Sequence, residues 1–551
     1  MLKRLQAALE WLLAPEISGE TRPGHLWPRW IFLRALGLIY FSAFYSLLFQ
    51  IKGLIGPNGI LPAGDYLQAV AAALQAQRFW YAPTLLWFGS SDRALMLLCW
   101  VGAIASLLLV LNIWPRAMLA ICFACFLSFI AVARDFASYQ SDGMLLEAGF
   151  LCLFFAPDGF RPGLGRASPP SRASRYLLRW EWFCIYFGSG VAKMASGDPT
   201  WRNFKAMDDY YQNCPLPSWI GWYVGHLPHW FHASAVFYTL AIELVLAWMV
   251  FLPRRFRIAL FFIVFPFESS IILTANYAFL NYIVFSLGFL LLDDRFIEWI
   301  APRKILALID RRPSPSAPTD PSAEARSAKE EASPENGRAR WRRYLLPVRM
   351  TIAAVGLGLI FYCTAVVQFG LRFLPAVPFP EAPLRWTEPF RIADRYGLFA
   401  VMTHVRYEIE FQGSPDGGNT WIPYPFRYKP QDPREAPGIY APYQPRFEWN
   451  LWFASLGAWP DYRWVIWTEE RLMKNEPDVL ALFRANPFAS APPTQVRAVT
   501  YRYWFTDMKT KREQGIWWQR ELLGDYAPTL ARQPGGDIIV LRTPIVEPPQ
   551  P

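Results

Sequence analysis

Over the first 300 residues the apolar positions come in long blocks, not in the alternation of a sheet protein. Nine blocks in the whole chain approach the ~20 residues that cross a bilayer as a helix: 30–51, 94–113, 117–133, 144–155, 176–193, 231–251, 257–275, 279–292 and 348–367. Blocks 144–155 and 279–292 are short, so the pattern predicts about eight or nine spans. Residues 1–29 open with Lys3 and Arg4 among apolar positions and lack a small-residue cleavage site. They read as an N-terminal interfacial helix and not as a signal peptide. Residues 30–305 are then a multi-span membrane domain. Residues 306–343 turn to Pro, Ser, Ala and charge. That composition buries too little to fold and predicts a disordered cytoplasmic linker. Residues 344–382 hold the last span and a connector.

From 383 to 551 the period changes to two. Val405, Tyr407, Ile409 and Phe411 alternate with Arg406, Glu408 and Glu410, which predicts a strand over 404–411. The turn formers Ser414 to Asn419 follow, so 421–428 should return as a hairpin. Strands are also expected at 496–505 and 537–546, with helices at 451–456 and 469–484. The predicted fold class is an α-helical polytopic membrane domain followed by a soluble β-rich C-terminal domain, drawn as a sandwich or open barrel.

Composition supports a mixture. The hydrophobic fraction is 53% and only 18% of residues are charged, against about 25% in soluble proteins. Net charge is +10, from 54 Lys+Arg and 44 Asp+Glu. Such an excess suits nucleic acid or basic membrane loops, and its distribution decides. The tail from residue 383 carries 20 Lys+Arg and 19 Asp+Glu. The excess lies in alternate inter-span loops: Arg116; Arg161, Arg166, Arg172 and Arg175; Arg254 and Arg255; Arg303 and Lys304. The intervening loops are sparse, with Lys52, Arg78 and Arg93 a mild exception. This pattern places the N-terminus in the cytoplasm and the tail on the opposite side, and nucleic-acid binding is excluded.

Ionisable residues inside apolar blocks are costly and have a partner or a task. Here they are Arg34, Glu147, Arg179, Glu181, Lys193, Glu243 and Glu268. Arg179 and Glu181 are too close in sequence to meet on one helix. Lys193 or Arg179 is therefore expected to pair across helices with Glu147, Glu243 or Glu268. Such pairs either fix helix packing or line a polar pocket in which a desolvated lysine acts as a base.

After Lys193 comes an aromatic-rich outer segment. Asp198, Trp201, Arg202, Asn203, Tyr210, Tyr211, Trp219 and Trp222 are its candidate client- or ligand-binding residues. The alternative is an interfacial belt. His226, His229 and His232 read as interfacial anchors, since Pro228 interrupts the helical spacing and no acidic or Cys ligand is adjacent; no metal is expected. Six of the seven cysteines lie in the blocks, Cys122-x-x-Cys125 as apolar packing. Cys214 is the exposed-thiol candidate. No GxxxxGK[ST] or GxSxG motif occurs, so neither a nucleotide enzyme nor a lipase is indicated.

Several of these stretches together resemble the lipase maturation factor family. They are Gly53 to Gly64 (GLIGPNGILPAG), Ser138 to Glu147, GSGVAKMASGDPTWRN (188–203), His226 to His232, Leu273 to Asn281, and RYEIEFQGSPDGG (406–418). The resemblance implies a membrane protein that assists folding of secreted lipases, in the endoplasmic reticulum in animals. There, lumenal loops and the C-terminal domain engage the client. The Pro/Arg/Ala-rich linker and an ending at Pro551 without a KDEL-type signal lead us to expect the inner membrane of a bacterium, with the tail periplasmic. The expected partners are the membrane and an exported client. No cofactor is expected. Gly190-Val-Ala-Lys193 followed by Trp201 is also distantly similar to the membrane domain of vitamin K-dependent carboxylase-like proteins. That likeness implies an alternative enzyme with Lys193 as base on a quinone or lipid.

Overall fold

The computed structural model describes residues 10–14, 24–137, 139–309 and 337–544. Each of the nine apolar blocks falls on a helix: α1 Leu26–Leu48, α2 Asp92–Val110, α3 Pro115–Ile130, α4 Gln140–Phe155, α5 Arg172–Ala195, α6 His229–Leu244, α7 Arg254–Thr274, α8 Leu280–Gly288 and α9 Gly337–Ala365. Five stretches are long and apolar enough to cross a membrane: Leu26–Leu48, Asp92–Val110, His229–Phe251, Arg254–Thr274 and Met350–Phe373. The expected eight or nine is not confirmed. The α3 helix and Leu280–Leu291 are apolar but short. The 16 residues of α4 reach about 24 Å. α5 is long enough but carries Arg172, Arg175, Arg179, Glu181 and Lys193, and much of it is buried by protein.

Most of the interfacial helix expected over 1–29 lies outside the described residues, and α1 begins inside that range at Leu26. The centre of the expected disordered linker, 310–336, also lies outside them. Its ends are helical, in Arg303–Ile309, where Ile305, Leu306, Leu308 and Ile309 extend the apolar run, and in the start of α9. The α1 and α2 helices pack closely. A side chain on Gly102 would overlap the Phe44 ring, so glycine here sets the interhelical distance.

The C-terminal region holds one six-stranded sheet, neither a sandwich nor a barrel. Its strands are β1 Arg406–Ser414, β2 Ile422–Pro423, β3 Gln495–Phe505, β4 Trp518–Asp525, β5 Thr529–Arg532 and β6 Ile538–Arg542. The order is β2-β1-β3-β5-β6, with β4 also on β3, and all pairings are antiparallel. The hairpin turn falls where expected, but its return strand is only two residues long. The α10 helix Arg446–Ser455 and α11 Trp464–Met473 cover one side. Phe447 of α10 stacks on Phe411 of β1 at 6.2 Å between ring centres.

The two regions share one apolar core. Phe136 meets Trp464 at 5.3 Å, Tyr139 meets Trp449 at 5.8 Å and Trp222 meets Trp517 at 5.1 Å. Polar contacts follow the same seam. Arg446 grips Asp142 with two parallel bonds of 2.8 and 2.7 Å and also donates to the Phe136 carbonyl at 2.8 Å. Asn276 donates to Gly438 O at 2.9 Å and accepts from Tyr440 N at 2.6 Å.

Candidate functional site

The site grows from one face of α5. Gly190 and Lys193 are three residues apart and so share that face. A Cβ at Gly190 would lie 2.8 Å from Glu243 Cβ on α6. Glycine there admits α6, and one turn on Lys193 Nζ donates to Glu243 Oε1 at 2.8 Å. The ammonium also donates to the Leu398 carbonyl at 3.0 Å and sits 5.0 Å from the Trp201 ring centre. Lys193 is only 2% exposed, so this pair lies where water does not screen it.

Leu398 belongs to a strap, residues 394–402, that leads from the last helices into β1. It is tied down at several points. Tyr396 Oη donates to Glu147 Oε2 at 2.6 Å, and Gly397 N to Gln140 Oε1 at 3.2 Å. Leu398 N donates to Ser189 Oγ at 3.1 Å, and Met402 N to Asp198 Oδ2 at 2.7 Å. Phe399 adopts a left-handed φ of 55°, which is uncommon for a bulky residue. It is held by Tyr277 and Tyr210 at ring distances of 5.0 and 6.0 Å.

Beneath the strap lies a cavity of about 580 Å³ between α5, α6, α7 and α8. Its walls are mostly aromatic and aliphatic. Its deep end holds Lys193–Glu243 and a second polar group, Glu268. Tyr186 Oη donates to Glu268 Oε1 at 2.5 Å and Asn281 Nδ2 to Glu268 Oε2 at 2.8 Å. Glu243 Oε2, Asn281 Oδ1 and Trp201 Nε1 are buried without a hydrogen-bond partner.

Of the intramembrane ionisable residues, Lys193 and Glu243 pair as one of the expected options. The others, Glu181 excepted, are satisfied differently. Arg179 donates to the Leu290 carbonyl at 2.8 and 2.6 Å, Glu147 takes the strap, and Glu268 takes a tyrosine and an amide. Arg34 donates to Trp30 O at 3.1 Å and lies over that residue's ring. Glu181 is fully buried with neither oxygen partnered.

The outer segment is less of a surface than its aromatics suggest. Trp201, Tyr210, Tyr211, Trp222 and Asp198 are buried, whereas Arg202, Asn203 and Trp219 are exposed. Trp222 is core because Phe505 and Trp517 of the C-terminal region cover it, and Tyr210 because Phe399 of the strap packs on it, neighbours that no local pattern announces. Burial pushes Asp198 upward, but the Thr200 hydroxyl and the Met402 and Thr200 amides outweigh it and hold the carboxyl below its ordinary value. Cys214 is buried, not exposed, and burial pushes its thiol up to about 12. The histidine nitrogens face protein acceptors. His226 lies 2.7 Å from both Trp222 O and Thr506 O, and His229 and His232 share Asp208. Among the described residues no group of three or more His, Cys, Asp or Glu is placed to hold a metal.

Sequence reasoning missed Tyr186, Asn281, Leu398 and Phe399. Asn281 had a signal, as a polar residue within an apolar block. Leu398 and Phe399 lie in the stretch Tyr396–Thr403, which also resembles the family, but nothing in it assigned them to this site, because Leu398 lies 205 residues from Lys193.

The family description "Lipase maturation factor transmembrane domain" matches residues 27–299, and "Lipase maturation factor C-terminal domain" matches 392–528. Lipase maturation factor 1 of Bos taurus is 30% identical over 93% of this chain and 91% of its own length. Lipase maturation factor 2 of Gallus gallus is 30% identical over 92% and 81%. For lipase maturation factor 1 of Homo sapiens the values are 29%, 94% and 91%. No solved structure matches the chain.

Proposed function

Because the chain belongs to the lipase maturation factor family, we propose that this multi-pass membrane protein helps an exported lipase or lipase-like client to fold. The observation that carries the reading is the family match over both the helical and the C-terminal regions. The loop charges support a cytoplasmic N-terminus. The strap and sheet then work on the other side, at the periplasm in a bacterium or the lumen in a eukaryote.

The client-facing surface we infer is the outer edge of the sheet. Leu522 and Leu523 on β4 and Ile539, Val540 and Leu541 on β6 are exposed. Among the described residues β6 pairs only with β5. An open, apolar strand edge is a template for an extended chain, which suits a partner that is not yet folded. A photo-crosslinking amino acid at Val540, in cells co-expressing a secreted lipase, should trap the lipase during its synthesis. Crosslinks only to lipid, or equal trapping from the exposed Trp299, overturn the assignment of this edge.

The alternative, Lys193 as a base on a quinone or lipid, has thinner support. Its ammonium is neutralised by Glu243 and also bonded to Leu398 O, so a base would first have to leave both. Lys193→Arg separates the two readings. A guanidinium keeps the charge and does not act as a base, so retained client maturation supports a positioning role.

A further inference from the structure

The cavity beneath the strap has a built polar end and an apolar mouth, and the maturation role uses neither. The mouth lies between α6 and α7, where Ser234, Phe237 and Ser270 are exposed. Both helices belong to stretches long and apolar enough to cross a membrane, so this opening faces lipid. The volume of about 580 Å³ lies within the ~300–1,000 Å³ of small-molecule sites.

The deep end defines what would be held there. Glu243 is 6% exposed and Asn281 5%, and each presents an acceptor oxygen with no partner. Burying such acceptors without a donor is costly. The Trp201 indole N–H offers a donor at the same end, also unpartnered. Two carboxylates stand there against one ammonium, which already faces Glu243. An anionic headgroup would meet like charge. A neutral hydroxyl would donate to one of the open oxygens and accept from the indole. We propose that this cavity binds a neutral membrane lipid bearing a free hydroxyl, of the monoacylglycerol or diacylglycerol class, head inward and chain toward the mouth.

The test is thermal unfolding of the full-length protein in detergent, titrated with three lipids. These are 1-oleoylglycerol, methyl oleate (neutral, without hydroxyl) and phosphatidic acid (anionic). Ligand that binds only the folded state raises Tm with concentration. We expect a saturable rise with 1-oleoylglycerol and none with the other two. Ala235→Trp, which fills the cavity from α6, should abolish the rise. If that variant does not fold, Ser270→Trp fills it from α7 with the same readout. No rise with 1-oleoylglycerol, an equal rise with methyl oleate or phosphatidic acid, or an undiminished rise in the filled variant overturns the proposal. No client is present in this assay, so its outcome is independent of the maturation role.

Discussion

The two sides of the C-terminal sheet treat their residues in opposite ways. On the inner side, β1 is buried on both faces, charges included. Arg406 donates to the carbonyls of Gln212, Cys214 and Pro215 at 3.0, 2.6 and 3.0 Å and pairs with Glu408. Lys429 reaches Glu408 at 2.7 Å, and Arg520 reaches Glu410 at 3.1 Å. On the outer side, β4 and β6 leave leucine, isoleucine and valine in solvent. Charge inside and apolar residues outside invert the usual rule. Arg406 acts as a fixed contact to the helical region, while Glu408 and Glu410 tie β1 to Lys429 and Arg520 within the C-terminal region. The outer apolar residues have no such partner within the described structure, which is the pattern of a surface kept for another molecule. If so, inner substitutions should damage the fold and outer ones the function.

The largest effect is expected at Arg446, which anchors the inner side to α4. Arg446→Met leaves Asp142 buried and uncompensated, a loss of about 3–5 kcal/mol. Denaturant unfolding of the full chain measures it. Removing both charges, with Asp142→Leu added, should recover most of the loss. A double variant as unstable as the single one would show that the pair is not what holds this seam.

Arg406→Met should cost less, because Glu408 keeps Lys429. What remains is the set of buried carbonyls without a donor, about 1–3 kcal/mol. A cost equal to that of Arg446→Met would mean that the β1 charges act as one network instead of as separate contacts.

A smaller effect depends on pH. Glu469 of α11 is fully buried, and burial pushes its carboxyl well above the ordinary value of 4.5, with the Ala498 amide opposing only in part. A carboxyl raised in the folded state stabilises the fold below its unfolded value and loses that contribution as pH rises above it. Glu469→Gln should therefore raise Tm at pH 8 and change it less at pH 5. A pH-independent difference would count against a buried titrating group.

This inversion explains which parts of the fold were legible. The alternation over 404–411 identified β1, and Gln495–Phe505 lies where a strand was expected. The alternation did not foretell that the charged half of β1 is buried, because its partners Lys429, Arg520 and the 212–215 carbonyls are remote in sequence. β4 and β5 were not foreseen. β4 contains Arg520 and Glu521 beside Leu522 and Leu523, an order without period two, and β3 shifts register between Thr500 and Tyr501 to pair with it. In the site, the Lys193–Glu243 pair was among the sequence options because interhelical partners of buried charge are few. The strap that closes it was not, since hydrogen bonds to backbone atoms such as Leu398 O leave no trace in side-chain chemistry.

The smallest effect on stability is expected at the outer edge, and it separates the two sides most sharply. Leu523 and Val540 are each more than half exposed. A change to Asp there removes little packing and places the new carboxylate in water, so stability should stay within about 0.5 kcal/mol of the parent. The charge, however, lies on the strand edge that an extended client would cover, where it would have to be desolvated. The pair Leu523→Asp and Val540→Asp should thus leave Tm unchanged while lowering the yield of active secreted lipase on co-expression. Unchanged Tm with unchanged lipase yield would mean that the outer edge is not the client surface. Lowered Tm would mean that these residues belong to the fold after all, and the contrast between the two sides of the sheet would fail.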